Sequence, residues 1–301
     1  MDKNIEQYSA SSHLANNLDF YFLFNNKELL GASSGLKGLD RVIEGWFGLC
    51  GLTGEPGKGK TTLAVQTVIY NALILNKPVL YISLEVNKDM LIGKLISHLT
   101  KVPIKKILKG GLSFEESMRY FQALKIILKC KNLIILDTKD ASFESVENSI
   151  YALKEDYISN YEEEEEVLVV LDYLQLFSEM PLDAPKNLDS QSRTPYQMSE
   201  FIRIKNESKS NWIVILTKNK ASYGATGMGI IKGDNSLEYG FETLITLEDP
   251  DDDFPRSDYP ENESGFKEVN VVGYCFKNRW GENKKVIPFY FNGAEGTFYE
   301  P

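Results

Sequence analysis

The chain has 301 residues, 43% of them hydrophobic, and a net charge of −10 from 33 basic and 43 acidic residues. This composition predicts a globular protein with a buried core. The acidic balance argues against a protein that coats nucleic acid with its whole surface, although it is compatible with a local basic channel. The sequence has no apolar run long enough to cross a bilayer and no signal-type apolar segment after Met1, so we expect a cytoplasmic protein with no membrane partner.

The cysteines and histidines are too few and too scattered for a zinc site. Cys50, Cys130 and Cys275 each lie in an apolar stretch and are expected to be small core residues. With His13 and His98 as the two histidines, a histidine-based catalytic triad is not expected.

The first 30 residues begin polar and become amphipathic, and they are too few for a domain. We expect residues 1–30 to be an N-terminal arm or linker that packs on the chain's own core or on a neighbouring subunit, and the pattern does not decide between the two. Residues 31–301 show no repeat or linker and are expected to form one domain. This domain opens with the Gly/Ser-rich segment GASSGLKGLDR, which leads into apolar residues at helical spacing.

The stretch GEPGKGKTT at residues 54–62 has the spacing G-x-x-x-x-G-K-T of a phosphate-binding loop. Its glycines let backbone N–H groups close around the α- and β-phosphates, Lys60 reaches the β- and γ-phosphates, and Thr61 coordinates Mg²⁺. An apolar strand predicted before the loop and a helix predicted after it make a simple surface turn a poor alternative. We expect the nucleotide to contact Gly54, Glu55, Pro56, Gly57, Lys58, Gly59, Lys60, Thr61 and Thr62.

Two further predicted strands end close to carboxylates. Residues 79–83 form a β-rich apolar run followed by Glu85, and residues 167–171 form a continuous apolar run that ends at Asp172. The carboxyl ends of the strands of an open α/β sheet form the edge where ligands bind. Asp172 is therefore predicted to hold the water shell of Mg²⁺ opposite Thr61, which is the Walker-B role.

The rest of the chain continues the alternation of helices and strands. Helices are predicted over residues 88–99, 114–128 and 142–157, and strands over residues 133–136, 212–216, 243–247, 268–276 and 285–291. The pattern predicts an α/β fold with a mostly parallel central sheet, flanked by helices and finished by an antiparallel hairpin section. Two acidic clusters, at residues 162–166 and 248–253, are expected to be solvated loops.

Several segments in one order resemble the RecA-like motor domain of the DnaB family of replicative helicases. They are GASSGLKGLDR, GEPGKGKTT, VLYISLE, VLVVLDYLQLF, KGDNSLE and FKNRWG. The resemblance covers residue 31 to the C-terminus, and SLE, DYLQL and KNR-x-G are more specific than the phosphate loop. It implies a RecA-like P-loop NTPase fold, ATP and Mg²⁺ as ligands, and a homo-oligomeric ring, expected to be a hexamer, that works as a DNA helicase or translocase on single-stranded DNA.

The resemblance also implies roles for individual residues. Glu85 matches the catalytic glutamate that orients and deprotonates the attacking water, Asp172 the Walker-B aspartate, and Gln175 the glutamine of DYLQL. Lys277 and Arg279 match a cationic pair that a neighbouring subunit inserts towards the γ-phosphate, where negative charge spreads over the γ-oxygens during transfer. Without the family, Glu85 is interpreted as an exposed cap and the cationic pair as surface charge.

In this family two loops at the ring centre contact single-stranded nucleic acid. The candidates here are residues 178–199, with Lys186 and Arg193, and residues 219–235, with Lys220, Tyr223 and Lys232. Tyr223 lies in a glycine-rich segment and is predicted to stack on a base. The alternative for both segments is a loop without a ligand.

Two features depart from the DnaB pattern. Thirty residues cannot supply the N-terminal domain that replicative members use for ring assembly and primase contact, and Thr217-Lys218 stands where DnaB proteins have Ser-Gln. The Thr-Lys pair and KNRWG resemble the RadA (Sms) branch of recombination ATPases, although the RadA zinc finger and protease-like domain are absent. The alternative function is therefore a RecA/RadA-like ATPase that acts without unwinding, as a recombination mediator, a loader or a switch, with replication or recombination proteins as partners.

Overall fold

A computed structural model of the chain describes residues 28–185, 187–218, 240–256 and 267–301, together with residues 14, 259 and 265. These residues form an α/β fold on a single sheet. Its strands are β1 Leu49–Gly54, β2 Val79–Ser83, β3 Leu133–Asp137, β4 Leu168–Asp172, β5 Asn211–Ile215, β6 Thr243–Glu248, β7 Val271–Asn278, β8 Lys285–Asn292 and β9 Thr297–Tyr299. No helix of the described part is long and apolar enough to cross a lipid bilayer.

The strand order is β3-β2-β4-β5-β1-β6-β7-β8-β9. Strands β3 to β6 in this order pair in parallel, and β6 to β9 pair antiparallel. β1 therefore lies between β5 and β6, and all three strands end at the same edge. We call the edge at which β1, β2, β4, β5 and β6 end the carboxyl edge, and the edge at which they start the amino edge.

Helices cover both faces of the sheet. They are α1 Lys37–Ile43, α2 Lys60–Val68 with a π-helical continuation over Ile69–Ile74, α3 Lys88–Thr100, α4 Ile104–Lys109, α5 Phe114–Lys129, α6 Phe143–Tyr161 and α7 Ser190–Ser208. Side-chain caps fix several of their starts. For example, Asn87 accepts a hydrogen bond from the Met90 N–H, and Ser113 forms a capping box with Glu116.

The parallel strands are buried on both faces, which is why their sequences are continuously apolar. In β4, Val170 packs into the core under α2 and α3, whereas Val169 and Leu171 pack on the other face against α6 and α7. Cys50 and Cys275 are buried small core residues as expected, and Cys130 is half-buried. The predicted strands and the three predicted helices are all confirmed, with ends that differ by a few residues.

The interpretation of residues 178–199 as one loop is wrong in its second half, because α7 begins at Ser190. The Asp189 side chain caps this helix by accepting from the Ser192 N–H at 2.7 Å. Met198, Phe201 and Ile204 then bury one side of it in the core. The cap and the three-residue spacing of these apolar side chains were available in the sequence, but the polar start of the segment and its internal proline obscured them.

Candidate nucleotide-binding site

The phosphate loop leaves β1 at the carboxyl edge and ends where α2 begins at Lys60. Gly54 has a φ of 143°, and a Cβ there would lie 2.4 Å from the Leu247 carbonyl oxygen. Gly59 has a φ of 87°, and a Cβ there would meet the Phe298 ring at 2.6 Å. Both positions therefore require glycine. The loop can reach the start of α2 only with these residues.

The first turn of α2 presents unpaired backbone donors and a lysine to the same space. Gly59 caps the helix without any side-chain hydrogen bond, so the first N–H groups remain available to an anion. The Lys60 ammonium donates to the carbonyls of Gly54 at 2.8 Å and Glu55 at 2.9 Å. Burial lowers the pKa of Lys60, and the negative charges of Asp172 and Glu85 oppose that change.

Asp172 ends β4, as predicted, and the residue is buried. The Tyr81 hydroxyl donates to its Oδ2 at 2.8 Å. Burial raises the pKa of the Asp172 carboxyl, and the hydroxyl groups of Tyr81 and Thr61 oppose this rise. Its Oδ1 is buried without a hydrogen-bond partner among the described residues.

This arrangement fits a hydrated Mg²⁺. An unpaired buried carboxylate oxygen near a threonine hydroxyl offers the hard oxygen ligands that the ion prefers, and the ion usually keeps several waters. Within the described residues no cluster of three or more His, Cys, Asp or Glu side chains forms a separate metal site. Thr61 and Asp172 are thus the residues suited to hold the ion beside the phosphates.

Glu85 lies two residues beyond the end of β2 and is exposed. The register pairs Ser83 with Asp172, so the carboxyl groups of Glu85 and Asp172 leave neighbouring strands at the same edge. The Leu84 N–H donates to the Asp172 carbonyl at 2.8 Å and fixes this turn to β4. Glu85 is therefore positioned at the mouth of the site, where a water molecule has access to it.

These groups share one cleft of about 510 Å³. Of the predicted nucleotide-binding residues, it is lined by Pro56, Gly57, Gly59, Lys60, Thr61 and Thr62, and also by Glu85 and Asp172. Gly54, Glu55 and Lys58 do not line it: the first two hold Lys60, and Lys58 forms an ion pair with Asp249. Gln175 does not line the cleft, but its Oε1 accepts from the N–H of the lining residue Thr217 at 3.4 Å.

A buried ion pair next to the cleft was missed in the sequence. Lys218 follows β5, and its fully buried ammonium lies 2.7 Å from Glu248 at the end of β6. Because β1 lies between these strands, the pair bridges across the start of the phosphate loop. The expectation that residues 248–253 form a solvated loop is therefore wrong for Glu248, which is 8% exposed.

Lys277 and Arg279 lie at the amino edge, away from the phosphate loop. β7 runs antiparallel to β6, so Asn278 pairs with Thr243 at the start of β6, whereas Val272 pairs with Glu248 at its end. The Arg279 N–H donates to the Glu242 carbonyl at 3.0 Å, and the side chain is exposed. At about 3.3 Å per residue, the length of β6 separates the two edges by roughly 15 Å.

The candidate DNA-binding residues are mostly outside the described part of the chain. Lys186, Lys220, Tyr223 and Lys232 all fall there. Arg193 is described, and it lies half-buried in the first turns of α7, where its guanidinium donates to the Ser178 carbonyl. The structure thus gives Arg193 a contact that joins α7 to the segment before it.

Comparison with protein families decides the assignment. The family model described as "DnaB-like helicase C terminal domain" matches residues 31–211, which is more than half of the chain. The chain belongs to this family. The match includes the phosphate loop, Glu85, Asp172 and Gln175, whereas Lys218 and Arg279 of this DnaB-like chain lie beyond it.

Individual relatives carry related names. The replicative DNA helicase DnaB of Buchnera aphidicola subsp. Schizaphis graminum is 27% identical over 190 residues, which are 62% of this chain and 39% of that protein. A probable plasmid replicative DNA helicase of Chlamydia trachomatis is 28% identical over 128 residues, 42% of this chain and 26% of that protein. The DnaB-like chain therefore spans about two fifths or less of the length of these curated relatives.

Solved structures show the same fold. One of them, described as an ATPase domain, superposes with a TM-score of 0.77 at 20% identity, and the superposition covers all of both chains. A DnaB-like replicative helicase, described with its interactions with primase, gives a TM-score of 0.76 at 19% identity over 95% of this chain and 67% of that chain. The RecA-like fold predicted from the sequence is thereby confirmed.

Proposed function

We propose that this chain is the motor of a DNA helicase that moves on single-stranded DNA. The chain assembles into a homo-oligomeric ring of six copies and hydrolyses ATP with Mg²⁺ at the interfaces between them. The observation that carries the proposal is the separation of two sets of residues within one chain. The phosphate loop, Asp172 and Glu85 share the carboxyl edge, whereas Arg279 lies at the amino edge. If Arg279 acts on a γ-phosphate, that phosphate is therefore bound by a neighbouring copy.

Each residue has a definable part in the reaction. Backbone N–H groups of the loop and Lys60 bind and orient the triphosphate, and Glu85 accepts a proton as water attacks the γ-phosphorus. The bond between the γ-phosphorus and the β,γ-bridging oxygen breaks, and ADP leaves. Mg²⁺, when bound through Thr61 and Asp172, neutralises charge on the phosphate oxygens. Arg279 of the next copy would stabilise the charge that develops on the γ-oxygens.

The names of the relatives favour this function over the alternative of a RecA/RadA-like recombination mediator, loader or switch. The Buchnera and Chlamydia proteins are both named replicative helicases. Action on DNA, contact with replication proteins such as primase, and a cytoplasmic location are parts of the same proposal. The matches cover 39% and 26% of those longer proteins, so their whole activity is part of the proposal for this chain.

A mixing experiment tests the shared site. Lys60→Ala and Arg279→Ala proteins should each lack ATP turnover, and an equimolar mixture should regain a measurable fraction of the wild-type rate. Recovery arises because some interfaces then combine an intact loop with an intact arginine. A mixture as inactive as its components, although it assembles by native mass measurement, would rule out a site completed by a neighbouring copy.

A second experiment separates a helicase from an ATPase that does not unwind. Wild-type protein should displace a strand from a forked duplex only with ATP, and its single-strand binding should weaken steeply as salt rises because phosphate contacts release counterions. The Lys60→Ala protein is the matched control. Active ATPase with neither strand displacement nor single-strand binding at low salt would favour the alternative.

A further inference from the structure

One cation of the nucleotide cleft has no part in the reaction described above. Lys94 lies on α3 and lines the cleft together with Lys60, Thr61, Glu85 and Asp172. Its neighbours on the helix, Leu91 and Leu95, are 1% exposed and face the core. Lys94 is half-buried at the border of this face and forms part of the cleft wall.

Within the described part of the chain, the Lys94 ammonium makes no hydrogen bond and no ion pair. The contrast with Lys88 on the same helix is clear, because Lys88 pairs with Asp140 at the surface. The donors of the Lys94 ammonium are therefore available to a ligand in the cleft. An anionic ligand in the cleft would supply the missing partner.

The surroundings of Lys94 indicate which part of the ligand it meets. It also lines a small hollow with Thr62 of α2 and with Gly293 and Gly296 of the turn between β8 and β9. In the larger cleft Lys94 shares the wall with Asp172 and Glu85. In the proposed reaction both residues serve the terminal phosphate, Glu85 through the attacking water and Asp172 through the ion.

We infer that Lys94 is a second phosphate-binding cation of this chain, which contacts the terminal phosphate of a bound nucleoside triphosphate. The inference rests on the proposed nucleotide site and adds a residue that distinguishes a triphosphate from a diphosphate. Lys60 donates two of its three N–H groups to the carbonyls of Gly54 and Glu55, which leaves one for the phosphates. Lys94 brings donors that are not committed to the protein.

The test compares two nucleotides on one set of variants. Dissociation constants for ADP and for the slowly hydrolysed analogue ATPγS, both with Mg²⁺, are measured on wild type, Lys94→Met, Lys94→Gln and Lys94→Arg. Loss of a charge-assisted contact should weaken ATPγS binding by about 10- to 100-fold in the Met and Gln variants. ADP binding should change by less than about twofold, and Lys94→Arg should retain most of the affinity for ATPγS. Lys88→Met is the matched control and should change neither.

The possible outcomes separate this inference from the proposed function. If wild type binds neither nucleotide, the nucleotide site itself is wrong. If wild type binds both, but Lys94→Met and Lys94→Gln leave ATPγS binding unchanged or weaken both nucleotides equally, the inference is overturned and the site stands. Thermal unfolding of each variant shows whether an equal loss reflects damage to the fold.

Discussion

The two edges of the sheet differ in how far their functional side chains are exposed to solvent. At the carboxyl edge, Asp172 and Lys218 are buried and Lys60 is half-buried, and each has partners within the chain. At the amino edge, Arg279 and Trp280 are exposed, and the Trp280 ring packs edge-on against Phe47, with centroids 5.1 Å apart. One edge is therefore a preorganised pocket, whereas the other presents its cation outward.

This difference explains why a single isolated copy of the chain would be a poor catalyst. Preorganised dipoles and charges stabilise a transition state most when they are already aimed at it. The carboxyl edge has this property for the phosphates and for Mg²⁺, but its cations, Lys60 and Lys94, must compete with Asp172 and Glu85. In the proposed ring, an arginine supplied from another copy would add the missing positive charge only upon assembly, which would couple turnover to ring formation.

The largest expected effect comes from the amino edge. Arg279→Ala should lower kcat by about 10⁴-fold, because an arginine finger contributes 10³- to 10⁵-fold to phosphoryl transfer. ATP affinity should change little, since the loop that binds the nucleotide lies at the other edge. Steady-state hydrolysis and nucleotide titration measure the two quantities separately.

The neighbouring cation Lys285 provides the control for Arg279. It is exposed on the same hairpin and pairs with Glu282, so Lys285→Ala should keep wild-type kcat. If the Arg279→Ala protein or a monomer hydrolyses ATP at the wild-type rate, Arg279 does not complete the site of a neighbouring copy.

A smaller loss is expected from the carboxyl edge. Glu85→Gln should lower kcat by about 10³-fold, within the 10²- to 10⁴-fold range of general-base catalysis, and should leave Mg²⁺-dependent nucleotide binding intact. Asp89→Asn, in the first turn of α3 and exposed, is the matched control. Turnover that is unaffected by Glu85→Gln would mean that another group takes the proton.

The buried ion pair between Lys218 and Glu248 is expected to contribute to the free energy of unfolding. Lys218→Met leaves Glu248 without its hydrogen-bond partner in a largely buried position, which should cost about 3 kcal/mol of unfolding free energy. The double variant Lys218→Met/Glu248→Leu should recover most of this loss, because no unpaired charge remains. Chemical denaturation measures both changes.

The surface pair at the same loop shows what burial adds. Lys58→Met breaks the ion pair with Asp249, whose side chain is 68% exposed, and should cost less than about 1 kcal/mol. Equal losses for Lys58→Met and Lys218→Met would show that the carboxyl edge is no better shielded from water than an ordinary surface.

Much of this edge was predictable from the sequence because its signals are local. The phosphate loop has a fixed spacing, and β2 and β4 are continuous apolar runs that end beside Glu85 and Asp172. A strand buried on both faces is continuously apolar, so a run of consecutive apolar residues indicates both its position and its end.

The contacts that hold the edge were not predictable, because they join residues far apart in sequence. Lys218 and Glu248 meet only because β5 and β6 both flank β1, and Tyr81 meets Asp172 only because β2 pairs with β4. The placement of Arg279 depends in the same way on the pairing of β7 with β6. Strand order depends on packing between residues far apart in the chain, so no short segment of the sequence indicates it.

After the catalytic variants and the buried ion pair, a smaller effect on stability is expected at one wall of the pocket, where His98 contacts the turn between β8 and β9. The His98 Nδ1 lies 2.8 Å from the Gly296 carbonyl oxygen, to which it donates as a neutral ring. Burial lowers the pKa of His98 from 6.5 to about 4, and the charge of Lys101 acts in the same direction. The folded state therefore binds this proton less readily than the unfolded chain does.

The sign of the pH dependence follows from this difference. The stabilisation is complete above pH 6.5, and it is lost as the pH falls towards 4, because the unfolded chain takes up a proton that the folded chain refuses. Between about pH 7.5 and pH 5 the loss should be about 2 kcal/mol. His98→Gln should lack this component, so the difference between the two proteins isolates it from other titrating groups. If wild type and His98→Gln lose the same stability over this range, the His98 ring is solvated, and the carboxyl edge is less well ordered at this wall than its phosphate loop.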